Sequence, residues 1–463
     1  MRPAALTALA LMAILPSVAG AETSDWRVLT PAVKADAVID SNPLQGYLDW
    51  HAGNLVPQVR RATEHYYRVT WADLETSEGV YDFAAIDKLF QGLGPNDRIA
   101  FGVMPTDTCC SRTGRDVPDY LIKRLAKGFW IKADPGNWAH IDKVYVPDWN
   151  DPDYLARWKA LWVAIGKRYD GDPRVAWVDV RGYGNWGEGH VAGSAVYHWS
   201  QFPYDDPSVN LHGAQPGTEA SRLAIADAIT DAMPHTQLLS MTDDKPVLLH
   251  LLRLDRAIPI GMRRDSWGAN WFETSFIPDD MAPEDKALIR DRWKTAPLIV
   301  ENYGWTKVFE AGYDGIVRQV ADWHISALGN GNFNVDSWAK LNADQQAALI
   351  RAGNRAGYRY VPAQARYRTT TQCPLEIAIT WRNDGVAPIY EAWKVDVAVD
   401  GRTVGQTDLP RLLPGETAER TVCSAAQAKG ALGVEVMDGR GSGRSMLLPL
   451  SGPGPRYALG DIN

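Results

Sequence analysis

Two glutamates stand where apolar runs give way to loops rich in glycine and aromatic residues. Glu188 lies in Val178-Asp179-Val180-Arg181-Gly182-Tyr183-Gly184-Asn185-Trp186-Gly187-Glu188-Gly189-His190, and Glu301 in Pro297-Leu298-Ile299-Val300-Glu301-Asn302-Tyr303. Breaking a glycosidic bond needs one carboxylic acid to protonate the leaving oxygen and one carboxylate to attack the sugar or activate water. Here the two groups come from distant parts of the chain, so the fold must bring them together. A barrel of parallel strands does this, because the C-terminal ends of its strands converge on one face. On this reading Glu188 is the acid, kept protonated by the flanking Trp186 and His190, and Glu301 is the ionised nucleophile.

The elements such a barrel requires are visible. From about Glu64 to Asn330 short β-rich runs alternate with longer amphipathic segments, the pattern of a parallel α/β fold. Candidate strands are His65–Trp71, Arg98–Met104, Val175–Arg181, Gln237–Thr242, Ile258–Met262, Leu298–Val300 and His324–Leu328, with a further one at Leu44–Trp50 despite Gly46 and Asp49. Segments such as Tyr154–Tyr169 and Ser221–Ala232 carry apolar residues at helical spacing. The predicted fold is a (β/α)8 TIM barrel over residues 22–358.

After Tyr358 the texture changes. Leu375, Ile377, Ile379 and Trp381 alternate with other residues, as do Val395, Val397 and Val399, and again Leu432, Val434 and Val436. Turn signals at Asn383-Asp384-Gly385, Asp400-Gly401, Pro414-Gly415 and Asp438-Gly439 separate these runs. Residues 359–463 are thus expected to form a small antiparallel β-sandwich, of a size that can hold its own core.

The chain opens with Met1-Arg2, an apolar run from Ala4 to Leu15 and then Ala19-Gly20-Ala21, the form of a cleavable signal peptide over residues 1–21. About a dozen apolar residues fall short of the roughly 20 that a spanning helix needs. The mature protein is expected to be periplasmic or extracellular, with no membrane span. Export makes pairing of the 4 cysteines expected. Cys373 and Cys423 read as a structural bridge; its loop of about 50 residues would contribute on the order of 4 kcal/mol. Adjacent Cys109 and Cys110 are either a vicinal disulfide, which would offer a rigid platform to a sugar ring, or two thiols.

A balance of 48 basic against 56 acidic residues argues against nucleic acid or an anionic membrane as partner. An uncharged oligo- or polysaccharide fits better, and the 19 tryptophans include flat faces of the kind that hold sugar rings. Around the two glutamates, Arg68, Trp71, Asp107, Trp186, His190, Asp243, Trp267, Tyr303 and Trp305 are the expected substrate contacts, with Glu75 and Asp244 also near strand ends. Arg264 and Asp265 read as an ion pair, and Asp179 as a supporting group that points into the barrel or toward Arg181.

Other chemistries leave less trace. Gly182-x-Gly184-x-x-Gly187 formally matches a dinucleotide fingerprint, and Asp205 and Asp206 lie near the distance of a ribose-binding acid. The residues after Gly187 make a poor helix start, however, and Glu188 would set negative charge beside a pyrophosphate. There is no H-E-x-x-H, C-x-x-C pair or G-x-S-x-G, and His190 and His198 read as loop histidines. No metal and no cofactor is expected.

Certain stretches resemble a known family. Ser41-Asn42-Pro43-Leu44-Gln45-Gly46-Tyr47, Tyr67-Arg68-Val69-Thr70-Trp71-Ala72-Asp73-Leu74-Glu75 and Glu78-Gly79-Val80-Tyr81-Asp82-Phe83 resemble the early strands of clan-A glycoside hydrolases such as microbial β-galactosidases. Arg168-Tyr169-Asp170-Gly171-Asp172-Pro173, leading to Gly184-Asn185-Trp186-Gly187-Glu188, is similar to the approach to their acid/base. Trp381-Arg382-Asn383-Asp384-Gly385-Val386-Ala387-Pro388 and Leu413-Pro414-Gly415 look like the C-terminal module of a family of uncharacterised exported bacterial proteins. The resemblance implies a retaining mechanism with Glu188 as acid/base and Glu301 as nucleophile. The clan places Asn directly before the acid/base glutamate, whereas Gly187 stands here and the nearest Asn is Asn185. A barrel that binds carbohydrate in the envelope without cutting it is the alternative.

Overall fold

The computed structural model describes residues 25–50, 55–125, 128–133, 139–189, 216–302, 304, 307–329, 335–452 and 454–463. The segment read as a signal peptide, and the residues His190, His198, Asp205, Asp206, Tyr303 and Trp305, lie outside this set. Among the described residues no helix is long and apolar enough to cross a membrane.

Strands β1 (Tyr47–Trp50), β2 (Arg61–Thr70), β3 (Arg98–Met104), β4 (Val175–Val180), β5 (Leu238–Met241), β6 (Gly261–Trp267), β7 (Leu298–Asn302) and β8 (Ala327–Gly329) form a closed barrel. Each pairs in parallel with the next in sequence, and β8 closes on β1. This is the (β/α)8 architecture the alternation of elements predicts. The interior is filled by Leu48, Trp50, Ala62, Tyr66, Ala100, Ala176, Trp177, Leu239, Ile299 and Ala327.

The helix before β4 shows how the outer layer is encoded. Pro152–Tyr169 starts at an Asp151 cap with proline in the first turn, and its Tyr154, Trp158, Leu161, Trp162, Ile165 and Tyr169 recur at helical spacing on the buried face. Trp71 packs edge-on against Tyr154 and Trp158 in the same core.

The sixth strand departs furthest from its expected position. The sequence places it at Ile258–Met262, but β6 runs from Gly261 to Trp267. The polar run Arg263-Arg264-Asp265 reads as loop because buried charge is rare in a strand; ion pairs compensate for it here.

The C-terminal region forms two antiparallel sheets facing each other over a shared core that includes Ile377, Trp381, Val395, Val397, Val434 and Val436. A disulfide joins Cys373 to Cys423. The strand Arg27–Leu29 pairs antiparallel with Tyr360–Arg368, so a segment that the sequence assigns to the barrel is an edge of the sandwich.

The sandwich meets the barrel where the strands begin. Arg98, the first residue of β3, reaches Glu64 at 3.2 Å and Glu391 of the sandwich region at 2.5 Å. Burial pushes the Glu64 carboxyl upward against the pull of Arg98. Tyr390 donates to the Trp293 carbonyl at 2.8 Å, and the His324 ring bonds the Val386 carbonyl at 2.7 Å, both just ahead of β7 and β8. Replacing one member of a buried ionic group leaves its partners uncompensated. Arg98→Met is therefore expected to destabilise the protein by on the order of 3 kcal/mol in denaturant unfolding.

Candidate functional site

At the opposite end of the barrel the strand termini carry charge. Asp179 on β4 lies fully buried and accepts from Tyr66 Oη at 2.6 Å, Arg263 Nη1 at 2.7 Å and Arg181 Nε at 3.2 Å. Arg263 then bonds Glu301 at 2.6 Å through its other terminal nitrogen. Arg181 Nη1 reaches Glu188 Oε1 at 3.2 Å, and Arg68 Nη2 reaches the same oxygen at 2.6 Å. Arg68 also stands 3.7 Å from Glu301, so one guanidinium bridges the two glutamates. The ring of Trp50 holds this lattice from β1, with the Arg68 and Arg263 guanidinium carbons each 4.7 Å from its centroid.

Space for the lattice is built into β3. A Cβ on Gly102 would lie 2.5 Å from Arg181 Cδ and 2.7 Å from its Nε, so the missing side chain is the room the guanidinium occupies.

A third carboxylate completes the cluster. One oxygen each of Glu188, Glu301 and Asp265 lie within 4.8 Å of one another. Pairing of β6 with β7 becomes irregular between Arg264 and Trp267, and Ser266 takes a left-handed φ of 67°. Asp265 keeps the strand alternation, two residues after inward-facing Arg263, and the irregularity follows it. Burial, with Glu188 and Glu301 close by, pushes the Asp265 carboxyl well above the usual range. Arginines supply positive charge to two of the three, Arg68 to Glu188 and Arg263 to Glu301.

Glu188 is set by the loop after β4. Trp186 has φ 55° and Gly187 φ 69°, two left-handed residues in succession. A Cβ at Gly187 would meet Arg181 Cβ at 3.0 Å and the Gly182 nitrogen at 3.1 Å, which explains glycine ahead of the glutamate. Trp186 is held from both sides: its N–H donates to the Thr106 carbonyl at 2.9 Å and its own carbonyl accepts from Arg181 at 2.6 Å. Asn185 does not take the place of the clan's asparagine beside the acid, because its side chain is turned to Thr108 at 2.8 Å. Residues 185–187 form a single 3₁₀ turn rather than opening a helix, which removes the dinucleotide reading of the glycines.

The loop after β3 is thus tied to the loop that carries Glu188. Cys109 and Cys110 are joined to each other there, and Asp107 accepts from the backbone N–H of both, at 3.2 and 2.9 Å. Asp116 in turn accepts from the Asp107 N–H at 2.9 Å and from Ser111 Oγ at 2.7 Å.

Of the expected contacts, Arg68 lies against both glutamates, while Asp107 and half-buried Trp186 lie in the adjoining loops. Trp71 and Trp267 do not face the cleft. Both are fully buried, with Nε1 committed to Glu75 at 2.8 Å and to the Ile316 carbonyl at 3.2 Å, so neither offers a face to sugar. Glu75 is a core acceptor for Trp71, Tyr120 and Arg157, and Asp244 caps the helix Lys245–Arg253 while paired with Arg222 at 2.7 Å. Asp243 pairs with Arg264 at 3.4 Å, so the expected Arg264–Asp265 pair is replaced. Arg264 packs on Phe272 and Phe276 and bonds Ser275, on the far side of β6 from Arg263. Trp50, Tyr66, Arg263 and the inward role of Asp265 escape the sequence reading. Carrying a period of two through Trp267 would have set Arg263 and Asp265 on one face.

No family model matches the sequence, and no curated protein matches it. Solved structures are similar. Endo-glycoceramidase II from Rhodococcus sp., captured as a lactosyl-enzyme intermediate, is 14% identical with a TM-score of 0.43, over 86% of this chain and 100% of that one. The catalytic domain of β-amylase from Paenibacillus polymyxa is 8% identical with a TM-score of 0.39, over 67% and 99%. Cel5A of Thermotoga maritima is 13% identical with a TM-score of 0.34, over 66% and 98%. At these identities and scores the likeness assigns no chemistry.

Burial, with Asp107 adding, pushes the Asp116 carboxyl from 3.8 up to about 7. A raised folded-state value means that the native chain holds this proton more tightly than the unfolded one. That contribution is present below pH 3.8 and is lost as pH rises through about 7. Relative to Asp116→Asn, the wild-type protein should therefore lose on the order of 4 kcal/mol of stability from about pH 4 to pH 8 in thermal unfolding.

Proposed function

We propose that the protein is a glycoside hydrolase acting on an oligo- or polysaccharide, with Glu301 as the attacking carboxylate and Glu188 beside it in the cleft. The observation that carries this reading is the approach of their carboxylate oxygens to within 4.8 Å at the C-terminal mouth of a closed barrel. Retaining glycosidases hold their two carboxyl groups about 5–5.5 Å apart, and inverting ones about 6.5–9.5 Å apart to admit water. The short separation favours retention through a covalent glycosyl-enzyme. Arg263, bonded to Glu301 and anchored on Asp179, fixes the nucleophile's orientation. Arg68 between the two glutamates is aimed at charge that shifts as the sugar reacts.

We further propose that the chain works after export, with a sandwich of residues 359–463, edged by Arg27–Leu29, bracing the far end of the barrel. The two disulfides fit an oxidising compartment.

A panel of aryl glycosides and cell-wall oligosaccharides tests the reading. The wild-type protein should turn over at least one member, and Glu301→Gln and Glu188→Gln should each lower that turnover by about 100-fold or more. Sugar binding without turnover, indifferent to both substitutions, would instead identify a non-catalytic carbohydrate-binding barrel.

A further inference from the structure

We propose that Asp265, rather than Glu188, carries the proton that the leaving oxygen receives. The inference rests on the glycosidase reading above and concerns the same cleft. Charge counting within the lattice starts it. Three guanidinium groups, Arg68, Arg181 and Arg263, face four carboxyl groups, Asp179, Glu188, Glu301 and Asp265. Asp265 keeps 23% of its side-chain surface exposed, but where guanidinium groups are outnumbered and solvent is scarce a proton removes the excess negative charge.

Geometry says where the proton sits. Asp179, Glu188 and Glu301 each have a guanidinium nitrogen at 2.6 or 2.7 Å. Asp265 has only Arg263, at 3.9 Å, beyond hydrogen-bond reach, and among the described residues its buried Oδ1 has no hydrogen-bond partner. The acidic groups around it are Glu188, Glu301 and Asp243, set against the guanidinium groups of Arg263 and, on the neighbouring residue, Arg264. Burial and those acids favour the neutral form, as in other sites where two carboxyls share one cleft with unequal surroundings. Strand alternation sets this group on the face of Arg263, beside the two glutamates.

The chemistry balances without another reactant. As the bond from the anomeric carbon to the leaving oxygen breaks, the Asp265 proton passes to that oxygen and an oxygen of Glu301 bonds to the carbon. In the second half the Asp265 carboxylate takes a proton from water, whose oxygen bonds to the carbon and releases Glu301. Glu188, held by two arginines, serves to position Arg68 and to accept from the sugar.

Two readouts test the assignment. Infrared difference spectra, wild type minus Asp265→Asn at neutral pH, should show the carbonyl band of one protonated carboxylic acid over the background that Asp116 supplies, and Glu188→Gln should retain that band. Absence of the band, or its loss in Glu188→Gln instead, overturns the proposal whether or not the protein cleaves sugars. In kinetics, Asp265→Asn should lower kcat/KM for an alkyl glycoside by about 10²–10⁴-fold, yet largely spare kcat/KM for a dinitrophenyl glycoside, whose leaving group needs no proton, while kcat falls because deglycosylation has lost its base. Azide should rescue that variant with formation of a glycosyl azide, whereas Glu188→Gln should lose both substrates alike. The leaving-group signature appearing in Glu188→Gln and not in Asp265→Asn would return the proton to Glu188. A wild-type protein that shows the band and cleaves no glycoside fails at the glycosidase reading, and the donor role falls with it.

Discussion

The structure depends above all on compensation of buried charge at one end of the barrel. Removing an ion from water costs several kcal/mol even after relaxation, so guanidinium and carboxylate groups survive there only by holding each other. Asp179 is the keystone, since Tyr66, Arg181 and Arg263 all converge on it from three different strands or their ends. From that point the lattice spreads to Glu188 and Glu301. Groups fixed in this way need little reorganisation when charge moves during a reaction.

Compensation also explains which parts of the fold are legible in the sequence. Apolar strands such as Arg98–Met104 and Leu298–Asn302 announce themselves by burial on every side, and both glutamates follow such runs. β6 does not, because three of its residues are charged and only the tertiary partners make that tolerable. Misplacing β6 turned Asp265 into a loop residue and hid Arg263. Trp71 and Trp267 failed for another reason. An aromatic residue at a strand end can face the cleft or the helices, and the local pattern is the same for both. The pairing of Arg27–Leu29 with a strand more than three hundred residues away leaves no local signal at all.

The loops after β3 and β4 act as one unit. The Thr106 carbonyl holds Trp186, and Thr108 holds Asn185. Asp107 gathers the backbone of the cysteine pair beside these contacts. Left-handed strain at Trp186 is thereby set by the neighbouring loop as much as by its own. The sandwich, in contrast, contributes at the other end of the barrel, where strand starts govern stability rather than chemistry.

Gly102 turns this packing into a rule about descent. The volume of one methyl group separates a β3 that admits the Arg181 guanidinium from one that expels it. A lineage that acquires a side chain at this position must displace or lose the arginine, which now supplies a counter-charge to Asp179 and Glu188. Glycine on β3 and arginine after β4 should therefore be inherited as a pair. Their joint presence in a sequence of unknown relationship would mark this charge lattice where overall identity has faded.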